Sequence, residues 1–207
     1  MGADARMFRP QQRAFPELQV LEWIPPEPRE TIAHYAGRLS ERVLISPGSF
    51  LGGASFGGVV ALEVAALLPV KKCLLIGSLR SPTGLRLAYR PWRRLSSLLS
   101  LGPVLARGSL WPARYLCGPS TRGTLRQLAD ADGRFLSWAA RALLDWIPSA
   151  NIAAVAVSQI HGQRDWLLPA NLSQADFIVP QAGHLLSLTH PQEVNDFLRR
   201  QMTPGSE

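Results

Sequence analysis

The sequence predicts an α/β fold in which helices cover both faces of a doubly wound, mostly parallel sheet. The first observation is that short apolar segments alternate with segments of helical periodicity before Pro82 and again after Pro148. Such alternation is typical of parallel strands joined by crossover helices. The second is that helical patches punctuated by Gly and Pro replace this alternation in between. We therefore expect one domain over residues 1–207, with a helical cap inserted at about residues 82–148.

The segments before Pro82 supply the first half of the sheet. Strands are expected where alternating or apolar stretches end in turn residues, at 18–26, 49–53 and 71–78. A helix is expected at 29–44, where apolar residues recur at spacings of three and four. A second helix is expected at 59–68, since this stretch is apolar nearly all round until Pro69 ends it.

The segments after Pro148 complete the sheet. Strands are expected at residues 152–162 and 175–180, and a closing helix is expected at 190–202. Pro191 lies in the first turn of this helix, where its missing N–H costs nothing.

Composition narrows the class of protein. A chain with 46% hydrophobic and 18% charged residues is typical of a globular protein that buries one core. Glu63 interrupts the longest apolar run, and the start of the chain has charge where a secretory signal needs apolar residues. We therefore expect a cytoplasmic protein. Cys73 and Cys117 have neither a disulfide pattern nor metal-ligand spacing, so no metal is expected.

Positive charge is concentrated in the expected cap. From Arg80 to Arg141, arginines exceed acidic residues by nine, which is more than the net charge of +7 on the whole chain. Arginines beside leucines and prolines usually form a solvated helix face, and we expect no nucleic-acid partner. The cap could instead contact a membrane surface or an anionic substrate. A further alternative is that the main function of the protein is arginine-driven binding to a membrane or to nucleic acid.

Ser55 stands in the pattern G-x-S-x-G, formed by Gly53-Ala54-Ser55-Phe56-Gly57, between an expected strand and an expected helix. Glycine-rich turns without chemistry are common. In this context, however, the pattern is typical of a sharp strand–helix turn that exposes a nucleophilic serine. Small residues near the serine let the two backbones pass closely.

A serine hydroxyl needs a base and a group that orients the base. Asp165 follows an expected strand, and His184 lies in a loop after the next one. The order Ser55, Asp165, His184 favours a nucleophile, an orienting acid and a general base, although a turn aspartate and a loop histidine remain alternatives. His161 and His34 are expected to be structural. A mechanism with these three groups needs no cofactor.

The stretches "GASFGGVVALEVA", "HGQRDWLLP", "AGH" and "HPQEVNDFL" resemble the α/β-hydrolase superfamily, in particular its small esterase-like and thioesterase-like members. The resemblance covers most of the chain except the cap. It implies hydrolysis of a small-molecule ester or thioester, with the backbone N–H of Phe56 as one oxyanion donor.

The amino terminus departs from that pattern. Family members usually begin with earlier strands and a loop that supplies the second oxyanion donor. By this resemblance the sequence is expected to start within the equivalent loop, and one alternative is that the true start lies upstream of Met1. Met1 or Gly2 would then occupy the donor position. Because one lost donor costs about two to three powers of ten in rate, the alternative is a catalytically impaired, hydrolase-like binding protein.

Overall fold

A computed structural model describes residues 5–83, 130 and 132–203 of the chain. The strands in these ranges are β1 (Phe50–Ala54), β2 (Lys72–Ile76), β3 (Val157–Gly162) and β4 (Phe177–Val179). The helices are α1 (Arg9–Ala14), α2 (Ile32–Ser40), α3 (Phe56–Ala65), α4 (Gly133–Leu144), α5 (Ala170–Ser173), α6 (Leu186–Thr189) and α7 (Pro191–Met202). Short 3-10 turns occur at Ala5–Phe8 and Ala150–Ala154.

The four strands form one parallel sheet in the order β1-β2-β3-β4. The expected fold class is confirmed, because helices cover this sheet on both faces. In a parallel sheet the carboxyl ends of all strands lie at one edge of the molecule. Ser55 follows β1 directly, Asp165 follows β3 and His184 follows β4, so the fold brings all three to that edge.

Alternate residues of β2 pack against different helices, one group on each face of the sheet. Cys73 and Leu75 belong to the apolar layer beneath α2, α3 and α4. Leu74 and Ile76 point to the opposite face and pack in the layer of α7. Successive strand side chains point to opposite faces, so a continuous apolar run such as that of β2 is typical of a strand covered on both sides.

The strand expected at residues 18–26 is a wrong prediction. This segment is irregular and pairs with no described strand. Its Ile24 is held instead by the Tyr35 side chain, because the Ile24 N–H donates to the hydroxyl at 3.0 Å and the hydroxyl donates to the Ile24 carbonyl at 2.9 Å. Burial is the main cause that raises the pKa of Tyr35 to about 12.

Other boundaries also differ from the expectations. Residues 152–154 belong to a 3-10 turn, so the strand expected at 152–162 begins only at Val157. The helix expected at 29–44 is shorter, since the Thr31 hydroxyl caps its start by accepting the N–H of His34 at 3.2 Å. Helix α3 begins directly after Ser55, three residues before the expected start.

Most of the cap expected at about residues 82–148 lies outside the described residues, so the insertion stays a prediction. Its described carboxyl-terminal part contains α4, whose start is capped by Asp132 through the Arg134 N–H at 2.8 Å. Phe135 and Trp138 of α4 are buried against Phe56, with ring centroids 6.2 Å and 5.5 Å apart. Helix α4 therefore packs on the residue that follows Ser55.

Glu63 interrupts the apolar sequence of α3 and is nevertheless buried. Its carboxylate accepts hydrogen bonds from the Trp146 indole N–H at 2.7 Å and from the backbone N–H of Ser149 at 3.3 Å. Satisfied bonds of this kind compensate for the burial of a polar group. Glu63 thus fastens α3 to the segment that follows α4.

In the described ranges, every helix is either too short or too polar to cross a membrane. Cys73 is fully buried in β2, and burial raises the pKa of its thiol to about 12. Cys117 lies outside the described residues.

Candidate active site

Ser55 occupies a strained turn between β1 and α3. Its φ of 54° and ψ of −129° place it among the few non-glycine residues with positive φ in the described chain. Three hydrogen bonds to its backbone hold this conformation, one of them from the Gly58 N–H to the Ser55 carbonyl at 3.0 Å. The Ser55 N–H donates to the Ile76 carbonyl at 3.0 Å, and the Ser78 hydroxyl donates to the Ser55 carbonyl at 2.7 Å. Strain of this kind persists only where the surroundings over-determine it, and it clusters at functional sites.

Three of the four glycines near Ser55 are required by close packing, and a Cβ at the first of them, Gly52, would lie 2.5 Å from the Leu74 carbonyl oxygen. A Cβ at Gly53 would lie 2.3 Å from the Gly57 carbonyl oxygen, and one at Gly58 would lie 2.4 Å from the Ser78 hydroxyl. At Gly57, in contrast, the nearest contact is Trp23 at an ordinary 3.6 Å. Packing therefore requires the first glycine of the G-x-S-x-G pattern, Gly53, but not the second, Gly57.

The side chains of Ser55, His184 and Asp165 form a continuous hydrogen-bonded chain. The Ser55 Oγ lies 2.8 Å from His184 Nε2, and His184 Nδ1 lies 2.7 Å from Asp165 Oδ2. A carboxylate only accepts hydrogen bonds, so Nδ1 carries the ring proton and Nε2 is left to accept the serine proton. This is the geometry required of a nucleophile, a base and an orienting acid.

The Asp165 carboxylate is buried and fully engaged. Its Oδ1 accepts the N–H groups of Leu167 and Leu168 at 3.0 and 2.8 Å, while its Oδ2 faces His184 and lies 3.2 Å from His161 Nε2. Burial alone would raise the pKa of Asp165. The hydrogen bonds from His161, His184 and Leu168 outweigh it and hold the pKa well below its usual range.

This depressed pKa predicts how stability depends on pH. A carboxyl group whose folded pKa lies below its unfolded value of about 3.9 contributes stability above that pH and loses it as the pH falls toward the folded value. Chemical denaturation should therefore show that the wild type is more stable than Asp165→Asn at pH 5, and that this difference in the free energy of unfolding narrows below about pH 4. A difference that does not narrow as the pH falls below about 4 would contradict the bonding of Asp165.

Phe56, the expected oxyanion donor, follows Ser55 directly. It is the first residue of α3, and the first backbone N–H groups of a helix have no partner within that helix. Its side chain is buried against Trp23, Phe135 and Trp138, which holds the backbone in place. The other donors expected, Met1 and Gly2, lie outside the described residues.

Sequence reasoning treated His161 as structural and did not single out Gln159 or Ser78. All three are fully buried. His161 contacts Asp165, Ser78 donates to the Ser55 carbonyl, and Gln159 lies between His161 and Ser78. One signal was available. His161 and Asp165 are four residues apart across the end of a buried strand, so both can reach the same strand end.

One group of described residues has the composition of a metal site. Ligand atoms of Glu27, Glu30 and His34 lie within 4.8 Å of one another. However, the Arg38 guanidinium pairs with Glu27 at 2.8 Å and with Glu30 at 3.1 Å, and His34 bonds Glu30 at 2.7 Å. The carboxylates therefore already have a cationic partner, and the group gives no support to a metal.

A parallel sheet covered by helices, with a serine at a strand–helix turn and an acid and a histidine after later strands, defines an α/β-hydrolase fold. A family model described as "Alpha/beta hydrolase family" matches residues 5–197, and the chain belongs to this family. A search of curated proteins finds no match.

Solved structures show the same fold at low sequence identity. A hydrolase from Pseudomonas aeruginosa PA01 is 18% identical, with a TM-score of 0.70 over 95% of this chain and 84% of that one. An esterase from Exiguobacterium antarcticum is 16% identical, with a TM-score of 0.67 over 97% and 88%. An enol-lactonase from Burkholderia xenovorans LB400 is 17% identical, with a TM-score of 0.63 over 96% and 86%.

Proposed function

We propose that this protein is a serine hydrolase that cleaves carboxylic esters or thioesters. The observation that carries the proposal is the hydrogen-bonded chain from Ser55 through His184 to Asp165, which begins at a strained strand–helix turn. The family assignment supports a hydrolase. The esterase and the enol-lactonase among the solved structures support an ester-type bond.

In the first half of the reaction, Ser55 Oγ attacks the acyl carbon while its proton moves to His184 Nε2. The negative charge that develops on the carbonyl oxygen is stabilised by the N–H of Phe56. As the tetrahedral intermediate collapses, the bond to the leaving alcohol or thiol breaks and His184 returns the proton to it. The acyl group is then an ester of Ser55.

In the second half, a water molecule attacks the acyl carbon and gives its proton to His184 Nε2. Collapse of the second intermediate breaks the bond to Ser55, and His184 returns the proton to Oγ. Asp165 remains ionised in both halves. It keeps the proton on Nδ1 and stabilises the imidazolium that forms transiently, so every step uses groups of this chain and water.

A fluorophosphonate probe tests the proposal, because its phosphorus atom is attacked by an activated serine. The wild type should be labelled, and Ser55→Ala should not. Ser81→Ala is the matched control, since the Ser81 hydroxyl bonds Thr83 and lies outside the Ser55–His184–Asp165 chain. Labelling that survives in Ser55→Ala, or a folded wild type that is not labelled, would refute the proposal. The second result would favour the alternative of a catalytically impaired binding protein.

Three further proposals concern the substrate, the partners and the location of the protein. The substrate is proposed to be a small molecule, with no nucleic-acid partner and a location in the cytoplasm. Contact of the arginine-rich cap with a membrane surface or an anionic substrate rests on the sequence alone, because residues 84–129 lie outside the described part of the chain.

A further inference from the structure

We propose that His161, Gln159 and Ser78 are positioning residues, which join Asp165 to the Ser55 turn in a closed ring of hydrogen bonds. The inference rests on the proposed function of Ser55, His184 and Asp165. It assigns to three buried polar side chains the role of holding Ser55, His184 and Asp165 at hydrogen-bonding distance from one another.

The first link of the ring is His161. Its Nε2 lies 2.7 Å from the Leu168 carbonyl oxygen and 3.2 Å from Asp165 Oδ2. Both atoms only accept hydrogen bonds, so Nε2 carries the proton, which it donates to the Leu168 carbonyl while making the longer contact with Asp165 Oδ2. Asp165 Oδ2 is the same oxygen that accepts from His184. His161 therefore contacts the same carboxylate oxygen as the base.

The second link is Gln159, whose orientation is set by two neighbours. Its Oε1 accepts from the Arg80 guanidinium at 3.3 Å, and its Nε2 donates to the Ser78 carbonyl at 2.7 Å. The same Nε2 lies 3.4 Å from His161 Nδ1, which accepts because the ring proton is on the other nitrogen. A reversed amide would point its oxygen at a carbonyl and its NH₂ at a guanidinium, so this arrangement is the only favourable one.

Ser78 closes the ring. Its hydroxyl donates to the Ser55 carbonyl at 2.7 Å, so the backbone of the strained turn is bonded to the end of β2. The ring runs from Ser55 Oγ through His184, Asp165, His161, Gln159 and Ser78 to the Ser55 carbonyl.

Burial makes the ring effective. His161, Gln159 and Ser78 are 0% exposed. In a low-dielectric interior, hydrogen bonds are stronger than in water, and a partner left unpaired is costly. A ring that joins the ends of four strands therefore fixes the distance between Asp165 and Ser55 from two sides. This explains how a serine with positive φ is kept in one conformation.

Two substitutions of His161 separate positioning from packing. In His161→Gln, the side-chain NH₂ can reach Asp165 in place of Nε2. In His161→Asn, the side chain still meets Gln159 but is too short to reach Asp165. With the fluorophosphonate probe, we expect the limiting labelling rate of His161→Asn to fall about tenfold, the effect of a lost hydrogen bond to a charged group. The concentration for half-maximal rate should not change, and His161→Gln should recover most of the rate.

The matched control is Ser173→Ala. Ser173 is also fully buried, and its hydroxyl donates to the Ala170 carbonyl in α5, beside β3 and outside the ring. Its loss should leave the limiting labelling rate unchanged.

A proton NMR signal supplies a readout that a purely structural role would not move. The downfield resonance of the His184 Nδ1–H, identified by its absence from His184→Ala, should shift in His161→Asn and stay in place in Ser173→Ala. An unshifted resonance together with an unchanged labelling rate in folded His161→Asn would overturn the ring. If His161→Asn fails to fold, Ser78→Ala tests the link between the ring and the Ser55 carbonyl. An unchanged labelling rate in Ser78→Ala would also overturn the ring. A wild type that the probe does not label would refute the proposed function. In that case, a shift of the His184 Nδ1–H resonance in His161→Asn would still support the ring.

Discussion

Replacement of His184 by alanine should lower the acylation rate by roughly 10⁶-fold, the order found when the base of a serine protease is removed. In the proposed mechanism the imidazole accepts the proton of Ser55, and its Nε2 lies 2.8 Å from Ser55 Oγ. Without it, the nucleophile is an ordinary hydroxyl, which is a weak nucleophile near neutral pH. The fold should survive, because His184 lies in a loop and its side chain is not part of either apolar layer.

This prediction is checked by single-turnover acylation with an activated ester, and by circular dichroism for the fold. His190→Ala is a suitable control, since His190 precedes α7 and its side chain bonds the exposed Thr189. A folded His184→Ala protein that keeps more than a small fraction of the wild-type rate would show that another group is the base.

Replacement of Asp165 by asparagine should lower the rate by about 10⁴-fold, as in the corresponding serine-protease substitution. The amide can still accept the N–H groups of Leu167 and Leu168 through its oxygen. Its NH₂ group, however, would face His184 Nδ1 and favour the tautomer with the proton on Nε2. That nitrogen could then no longer accept the proton of Ser55.

Steady-state kinetics on one ester should show this loss in kcat rather than in KM, since substrate contacts are not altered. Asp196→Asn provides a matched control, because Asp196 is exposed on α7 and pairs with Arg199. Near-full activity of Asp165→Asn would mean that the acid has been assigned wrongly. The described loop after β2 offers no substitute, because residues 77–83 contain no aspartate or glutamate.

The three residues of the proposed mechanism could be predicted because each depends on local sequence. Ser55 is set by a strand–helix junction, and Asp165 and His184 each follow a strand whose apolar pattern is clear. The positioning residues could not be predicted in this way. Gln159 and Ser78 meet only because β2 and β3 pair with Ile76 beside Ile160, and this register is a property of the folded sheet.

The wrong strand at residues 18–26 has a related cause. Local alternation indicates that a segment favours an extended backbone, but it does not show whether a neighbouring strand is present to pair with it. The role of Gly58 cannot be predicted from local sequence for a similar reason. The need for that glycine comes from Ser78, which is twenty residues away in sequence and reaches it only through the packing of α3 on β2.

The place of β1 at the border of the sheet has a consequence for heat inactivation. Within the described ranges, the strand that ends at Ser55 pairs with β2 alone, whereas β2 and β3 pair on both sides. Segments with fewer neighbours open at a lower free energy than the centre of a fold. Fraying of β1 would displace Ser55 while β2 and β3 remain paired. On heating, catalytic competence should therefore be lost reversibly before the cooperative melting of the sheet.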